Sequence, residues 1–181
     1  MIKPQALQKN STIGILSPSY WLDREILSIT SKYFTDLGYR LKFGKSNELK
    51  WGPFAGLPEQ RADDIHEMFA NSDIDAIFCA RGGYGANRVL PLLDYNLIKE
   101  NPKIFIGYSD ITAMLISITQ KTSLITFHGP MLTSYKDSWV EYNYSLMQRV
   151  LSGEKFTKIY SPDGLETKIL KHGIAHGPLS V

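Results

Sequence analysis

Cysteine is almost missing from this sequence: Cys79 is the single one among 181 residues. No disulfide can therefore close within the chain, which fits a reducing, cytoplasmic compartment. An excess of charge is missing too, since 20 Lys and Arg stand against 18 Asp and Glu, leaving +2. That balance offers no basic footprint for nucleic acid or an anionic membrane surface. The longest apolar run, Ala76-Ile77-Phe78-Cys79-Ala80, is five residues, against the roughly 20 needed to span a bilayer. The opening Met1-Ile2-Lys3-Pro4-Gln5 lacks the apolar stretch of a secretory signal. Internal repeats and low-complexity linkers are absent as well. What remains is ordinary globular composition, 43% hydrophobic and 21% charged. The length suits one domain of the usual ~100–200 residues, able to bury about 70% of its unfolded surface.

Hydrophobic periodicity alternates between short apolar runs and helical spacing, predicting strands and helices in turn. Thr12-Ile13-Gly14-Ile15-Leu16 reads as a first strand, ended by Ser17-Pro18-Ser19. Ile26, Ile29, Tyr33 and Leu37 follow at helical spacing, with Gly38 as the stop. Arg40-Leu41-Lys42-Phe43 reads as a second strand. Leu57-Pro58-Glu59-Gln60 opens a helix that buries Ala62, Ile65 and Phe69. Ala76-Ile77-Phe78-Cys79-Ala80 is a third strand, apolar throughout as expected when both sheet faces are covered. One short helix is expected to carry Val89, Leu90 and Leu93. Ile104-Phe105-Ile106 forms a fourth strand, and Ile111, Met114, Leu115 and Ile118 mark the helix after it. Leu124-Ile125-Thr126-Phe127 is read as a fifth strand. A last helix lies near residues 142–151, with thin strand signals at 156–160 and 167–170. The alternation implies an α/β fold, a doubly wound and mostly parallel sheet with helices on both faces. Ligands of such sheets bind beyond the carboxyl ends of the strands, so the turns there carry the chemistry.

Two turns stand out. Gly107-Tyr108-Ser109-Asp110 joins the fourth strand to its helix, a position where a serine hydroxyl is held clear of the sheet. The amide after such a serine is placed to donate to an oxyanion. Ile111 stands where a G-x-S-x-G motif has its last glycine. Ser and Asp are equally at home as helix caps, which is the alternative role for this pair. The second turn, Arg81-Gly82-Gly83-Tyr84-Gly85, has adjacent glycines whose amides can approach an anion closely. It lacks the Gly-Lys-Ser/Thr of a P-loop and the spacing of a dinucleotide fingerprint. Its plain alternative is a sharp turn that needs positive φ.

A serine nucleophile needs a base. Of four histidines, His66 lies mid-helix on a solvated or boundary face. His128, in Phe127-His128-Gly129-Pro130, lies near the end of the fifth strand, where a structural role competes with a catalytic one. His172 and His176 are separated by Gly173 and lack a third ligand, so no metal is expected. Cys79 at a strand end reads as a small buried hydrophobe rather than a catalytic thiol.

Arg81-Gly82-Gly83-Tyr84-Gly85, Arg88-Val89-Leu90 and Pro102-Lys103, leading into Ile106-Gly107-Tyr108-Ser109-Asp110-Ile111-Thr112, resemble the N-terminal half of the L,D-carboxypeptidases. Ile15-Leu16-Ser17-Pro18-Ser19, Phe54-Ala55-Gly56, Gln60-Arg61-Ala62-Asp63-Asp64 and His128-Gly129-Pro130 are similar to that family as well. The resemblance implies a cytoplasmic serine peptidase that removes a terminal D-amino acid from murein tetrapeptide during cell-wall recycling. A related branch confers immunity by degrading peptide-nucleotide antibiotics. The implied fold is of the class I glutamine amidotransferase-like or flavodoxin-like kind. A true amidotransferase elbow would need cysteine where Ser109 stands.

By position, Ser109 becomes the nucleophile, and the amides of Asp110 and of the Gly82 and Gly83 pair become the oxyanion hole. Arg81 and Tyr84 become substrate-binding residues. No cofactor and no metal is implied; the partner is a small peptide, with no nucleic acid or membrane, and a homodimer is left open. In that family the glutamate and histidine of the triad come from a C-terminal domain. Ala175-His176-Gly177-Pro178-Leu179 resembles the entry to it, so residues 1–155 are expected to form the nucleophile domain and 156–181 the linker and start of the next, with the triad partners beyond Val181. A non-enzymatic module binding an anion or peptide is the competing class.

Overall fold

Strands β1 (Thr12–Leu16), β2 (Arg40–Phe43), β3 (Ala76–Cys79), β4 (Ile104–Gly107) and β5 (Phe127–His128) lie parallel in one sheet ordered β2-β1-β3-β4-β5. This is the computed structural model of the chain, which describes residues 1–135 and 141–155. The register sets Ile13 beside Ala76, Phe78 beside Ile106 and Gly107 beside His128. The chain moves outward from β1 to β2, then crosses back to β3. That reversal leaves a crevice at the carboxyl ends of β1 and β3, the usual ligand position in this topology.

Among the described residues five α-helices cover the sheet: α1 (Arg24–Asp36), α2 (Pro58–Ala70), α3 (Tyr95–Glu100), α4 (Thr112–Thr122) and α5 (Glu141–Leu151). Phe34 of α1 and Met147 and Leu151 of α5 pack with Ile13, Ile15, Phe78 and Ile106 on one face. Ile65 and Phe69 of α2, Ile98 of α3 and Met114 and Ile118 of α4 pack with Ile77, Cys79 and Phe105 on the other. The period of two along β3 thus feeds both layers, as a doubly wound sheet demands. Phe78 and Phe105 are fully buried on opposite faces, each worth roughly 1.5–3 kcal/mol of transfer free energy.

Several expectations are corrected. The residues 124–127 do not form the fifth strand; β5 is Phe127–His128, while Leu124 bridges to Ile2. The single helix through Val89, Leu90 and Leu93 is two 3-10 turns, Ala86–Arg88 and Leu90–Leu92. Pro91 has no N–H to continue a helix, which accounts for the break. Helix α1 ends before Gly38 as expected, but its buried residues are Thr30, Ser31 and Phe34, and Ile29 is 59% exposed. The hydroxyls of Thr30 and Ser31 donate to the carbonyls of Ile26 and Leu27, so burial leaves neither unsatisfied. The strand signals at 156–160 and 167–170, His172, His176 and the segment 156–181 lie outside the described residues.

Candidate active site

Turns after β1, β3 and β4 converge above the crevice. Tyr108 leaves β4 extended, at φ −150° and ψ −172°, and Ser109 turns abruptly to φ +60°. From Ser109 a 3-10 turn, Ser109–Ile111, runs directly into α4. A serine at positive φ costs on the order of 1–3 kcal/mol and persists only where its surroundings impose it. The result is a sharp strand-to-helix elbow with Ser109 exposed at its apex. Among the described residues the Ser109 hydroxyl has no hydrogen-bond partner. The Asp110 amide belongs to the first turn, where N–H groups have no intrahelical acceptor to reach.

The glycine turn after β3 faces this elbow. A Cβ on Gly82 would stand 3.2 Å from Ser109 Cβ and 3.4 Å from its Oγ, so the glycine permits the approach. Gly83 has φ +134°, and a Cβ there would strike the Tyr20 ring, 2.7 Å from Cδ2. Between the turns lies a cleft of about 370 Å³, lined by Leu22, Arg81, Gly82, Tyr108, Ser109 and Met131 among others. Arg81 is half-buried in its wall, donating to the Trp21 carbonyl at 3.4 Å. Tyr84 is 52% exposed on the same turn and does not line the cleft.

The Asp110 carboxylate does not cap its own helix. Oδ2 accepts from Ser19 Oγ at 2.7 Å and from the Ala86 amide at 2.8 Å, so one oxygen ties the three turns together. Beneath it, Arg61 of α2 is fully buried, with Nη1 donating to the carbonyls of Pro18 at 2.7 Å and Gly85 at 3.1 Å. Its Nε and Nη2 have no partner among the described residues. Burial pushes the guanidinium pKa down, and the Asp110 charge partly offsets this. Sequence reasoning assigned Ser19, Tyr20 and Arg61 no part in the site. Arg61 shares the helical spacing of Ile65 and Met68, and an arginine on an apolar stripe is the signal that marks it.

His128 is exposed and packs its ring edge-on against Tyr108, with centroids 6.3 Å apart, one residue from Ser109 but not bonded to it. His66 Nε2 accepts the Asp94 amide at 2.8 Å, fastening α2 to the start of α3. Cys79 is wholly buried, and desolvation pushes its thiol far above the usual range, which removes thiolate chemistry. Among the described residues no group of three or more His, Cys, Asp or Glu is placed to hold a metal ion.

Residues 13–129 match the LD-carboxypeptidase N-terminal domain. Over 132 residues the chain is 42% identical to the probable murein peptide carboxypeptidase of Bacillus subtilis, covering 73% of this chain and 41% of that protein. It is 33% identical over 122 residues to the murein tetrapeptide carboxypeptidase of Pseudomonas aeruginosa, covering 67% of this chain and 39% of the relative. Among solved structures it superimposes on the microcin C7 self-immunity protein MccF in complex with aspartyl sulfamoyl adenosine, with TM-score 0.81 and 31% identity, over 93% of this chain and 55% of that one. The match thus spans about two-fifths of the curated relatives, at 41% and 39% of their lengths. By its sequence over residues 13–129, and in agreement with its fold, the chain belongs to the family of the LD-carboxypeptidase N-terminal domain.

Proposed function

We propose that this chain is the nucleophile-bearing domain of a cytoplasmic serine L,D-carboxypeptidase that releases the terminal D-amino acid of murein tetrapeptide in cell-wall recycling. The observation that carries the reading is Ser109 at φ +60° on the β4–α4 turn, open to a cleft and flanked by Gly82. The Ser109 hydroxyl attacks the scissile carbonyl and its proton passes to a histidine base, oriented by a glutamate. The oxyanion is held by the Asp110 amide and an amide of the Gly82 and Gly83 pair. Loss of one such donor typically costs about 10²–10³ in kcat. The proton is returned to the departing D-amino acid, and water then cleaves the acyl-enzyme ester to free the shortened peptide and Ser109. Arg81 and Tyr84, on the turn after β3, contact the substrate.

Residues 1–155 form the domain described by this mechanism, and 156–181 lead to a second domain that supplies histidine and glutamate. No helix among the described residues is long and apolar enough to cross a membrane. In a complete enzyme containing this domain, Ser109→Ala is expected to abolish D-alanine release from murein tetrapeptide. Undiminished release would overturn the assignment. The Ser109 hydroxyl, without a hydrogen-bond partner among the described residues, favours one second reading, a module that binds peptide without cleaving it. Tetrapeptide binding without release, both by the 181-residue chain and by the complete protein, would support that alternative.

A further inference from the structure

The chain's small net charge of +2 conceals a local concentration of cations beside the cleft. Arg81 lies over the Tyr20 ring at 5.6 Å, Arg88 over Phe54 at 5.2 Å, and Lys50 over Trp21 at 3.7 Å. Among the described residues none of these three forms an ion pair. Asp110, the acid at the convergence of the turns, is occupied by Ser19 and Ala86. Arg61 adds a fourth positive charge from beneath Phe54, at 5.4 Å.

The rings form a continuous shelf. Tyr20 abuts Gly83, meets Phe54 edge-on at 5.9 Å, and Phe54 stacks on Trp51 at 5.7 Å. Its backbone is pinned: Trp51 and Phe54 exchange both amide bonds, and the amides of Trp21 and Ala55 donate to the carbonyls of Pro53 and Ser19. Stacking a guanidinium on a ring steadies its plane and leaves its N–H edge free for a carboxylate. A rigid shelf of this kind loses little entropy when a ligand docks.

We propose that this rim is a recognition subsite for the anionic part of a peptide ligand, taking carboxylates remote from the bond to be cut. The assignment rests on the carboxypeptidase reading for the position of that bond. Arg81 engages the peptide nearest Ser109, Arg88 and Lys50 engage carboxylates further along, and Trp51 supports the backbone between.

Calorimetric titration of the 181-residue chain at low salt provides the test. The probes are a tetrapeptide with two free carboxylates besides its terminal one, and the same peptide with those two amidated. Amidation is expected to weaken binding about tenfold. The exposed-site double variant Arg88→Gln/Lys50→Gln, with unchanged Tm, is expected to weaken the acidic peptide by a similar factor and leave the amidated one alone. Equal binding of both peptides, equal loss for both in the variant, or no binding of either overturns the proposal. Adenosine monophosphate is the third probe, and binding of it that the variant loses, without carboxylate dependence among the peptides, assigns the rim to nucleotides instead. Carboxylate-dependent binding with no D-alanine release by the complete enzyme leaves the subsite standing and removes the carboxypeptidase reading. Release without carboxylate dependence does the reverse.

Discussion

The hydroxyl of Ser19 donates to Asp110 Oδ2 at 2.7 Å, joining residues 91 positions apart in sequence. The same oxygen receives the Ala86 amide, so the elbow around Ser109 is fixed from two other turns. Removing the acceptor strands two donors. Asp110→Ala is expected to destabilise by about 2–4 kcal/mol and Ser19→Ala by about 1 kcal/mol, with Asp110→Asn in between because it keeps an acceptor. Urea unfolding of the three variants and the Ser19→Ala/Asp110→Ala double variant checks this, and additive losses would deny the coupling.

The backbone of Ser109 makes a prediction that separates stability from chemistry. Glycine reaches φ +60° without the steric cost borne by alanine. Ser109→Gly is therefore expected to be more stable than Ser109→Ala by about 0.5–1 kcal/mol, with both inactive in a complete enzyme. Equal urea midpoints would show that the elbow holds no strain.

Gly82 and Gly83 should fail differently. Gly82→Ala sets a methyl 3.2 Å from Ser109 Cβ, so it is expected to displace the serine while leaving Tm nearly unchanged. Gly83→Ala meets both φ +134° and the Tyr20 ring, and a loss of more than about 2 kcal/mol is expected. Thermal melts with parallel peptide titrations distinguish the two effects.

Among the described residues Arg61 bonds two turns through Nη1, from a fully buried position. Arg61→Ala leaves the carbonyls of Pro18 and Gly85 without a donor and opens a cavity, for an expected cost of about 3–5 kcal/mol. Denaturant titration measures it. A loss below ~1 kcal/mol would mean that the turns hold their positions unaided.

Cys79 is expected to resist alkylation in the folded chain and to react in step with unfolding, because its thiol is both inaccessible and held protonated. A thiol-reactive chromophore followed across a urea series tests this. Rapid labelling under native conditions would contradict the burial.

Local signals carried most of the fold. The apolar runs that became β1, β3 and β4 needed no information beyond their own residues, and Pro58 marked the first helical position of α2. Where expectation and structure part, a distant partner decides. Helix α1 turns Thr30, Ser31 and Phe34 inward because it packs against the 3-10 turn Leu132–Tyr135, remote in sequence. Helix α3, only six residues long and capped by Asp94, is too short for periodicity to announce. Leu124 left the fifth strand because Ile2 offered it another pairing. The site divides in the same way. Ser109 and the glycine turn are local motifs, whereas the roles of Ser19 and Arg61 exist only through acceptors on other elements.

The long span between Ser19 and Asp110 has a temporal meaning as well. A chain made from its amino terminus exposes Ser19 well before Asp110 exists, and β4 can join β3 only after the intervening segment has been synthesised. Closure across that separation is slow relative to the local turns. The strained serine is consequently a late product of biogenesis. Its appearance would mark completion of the sheet through β4, and an unfinished polypeptide would carry no preformed elbow.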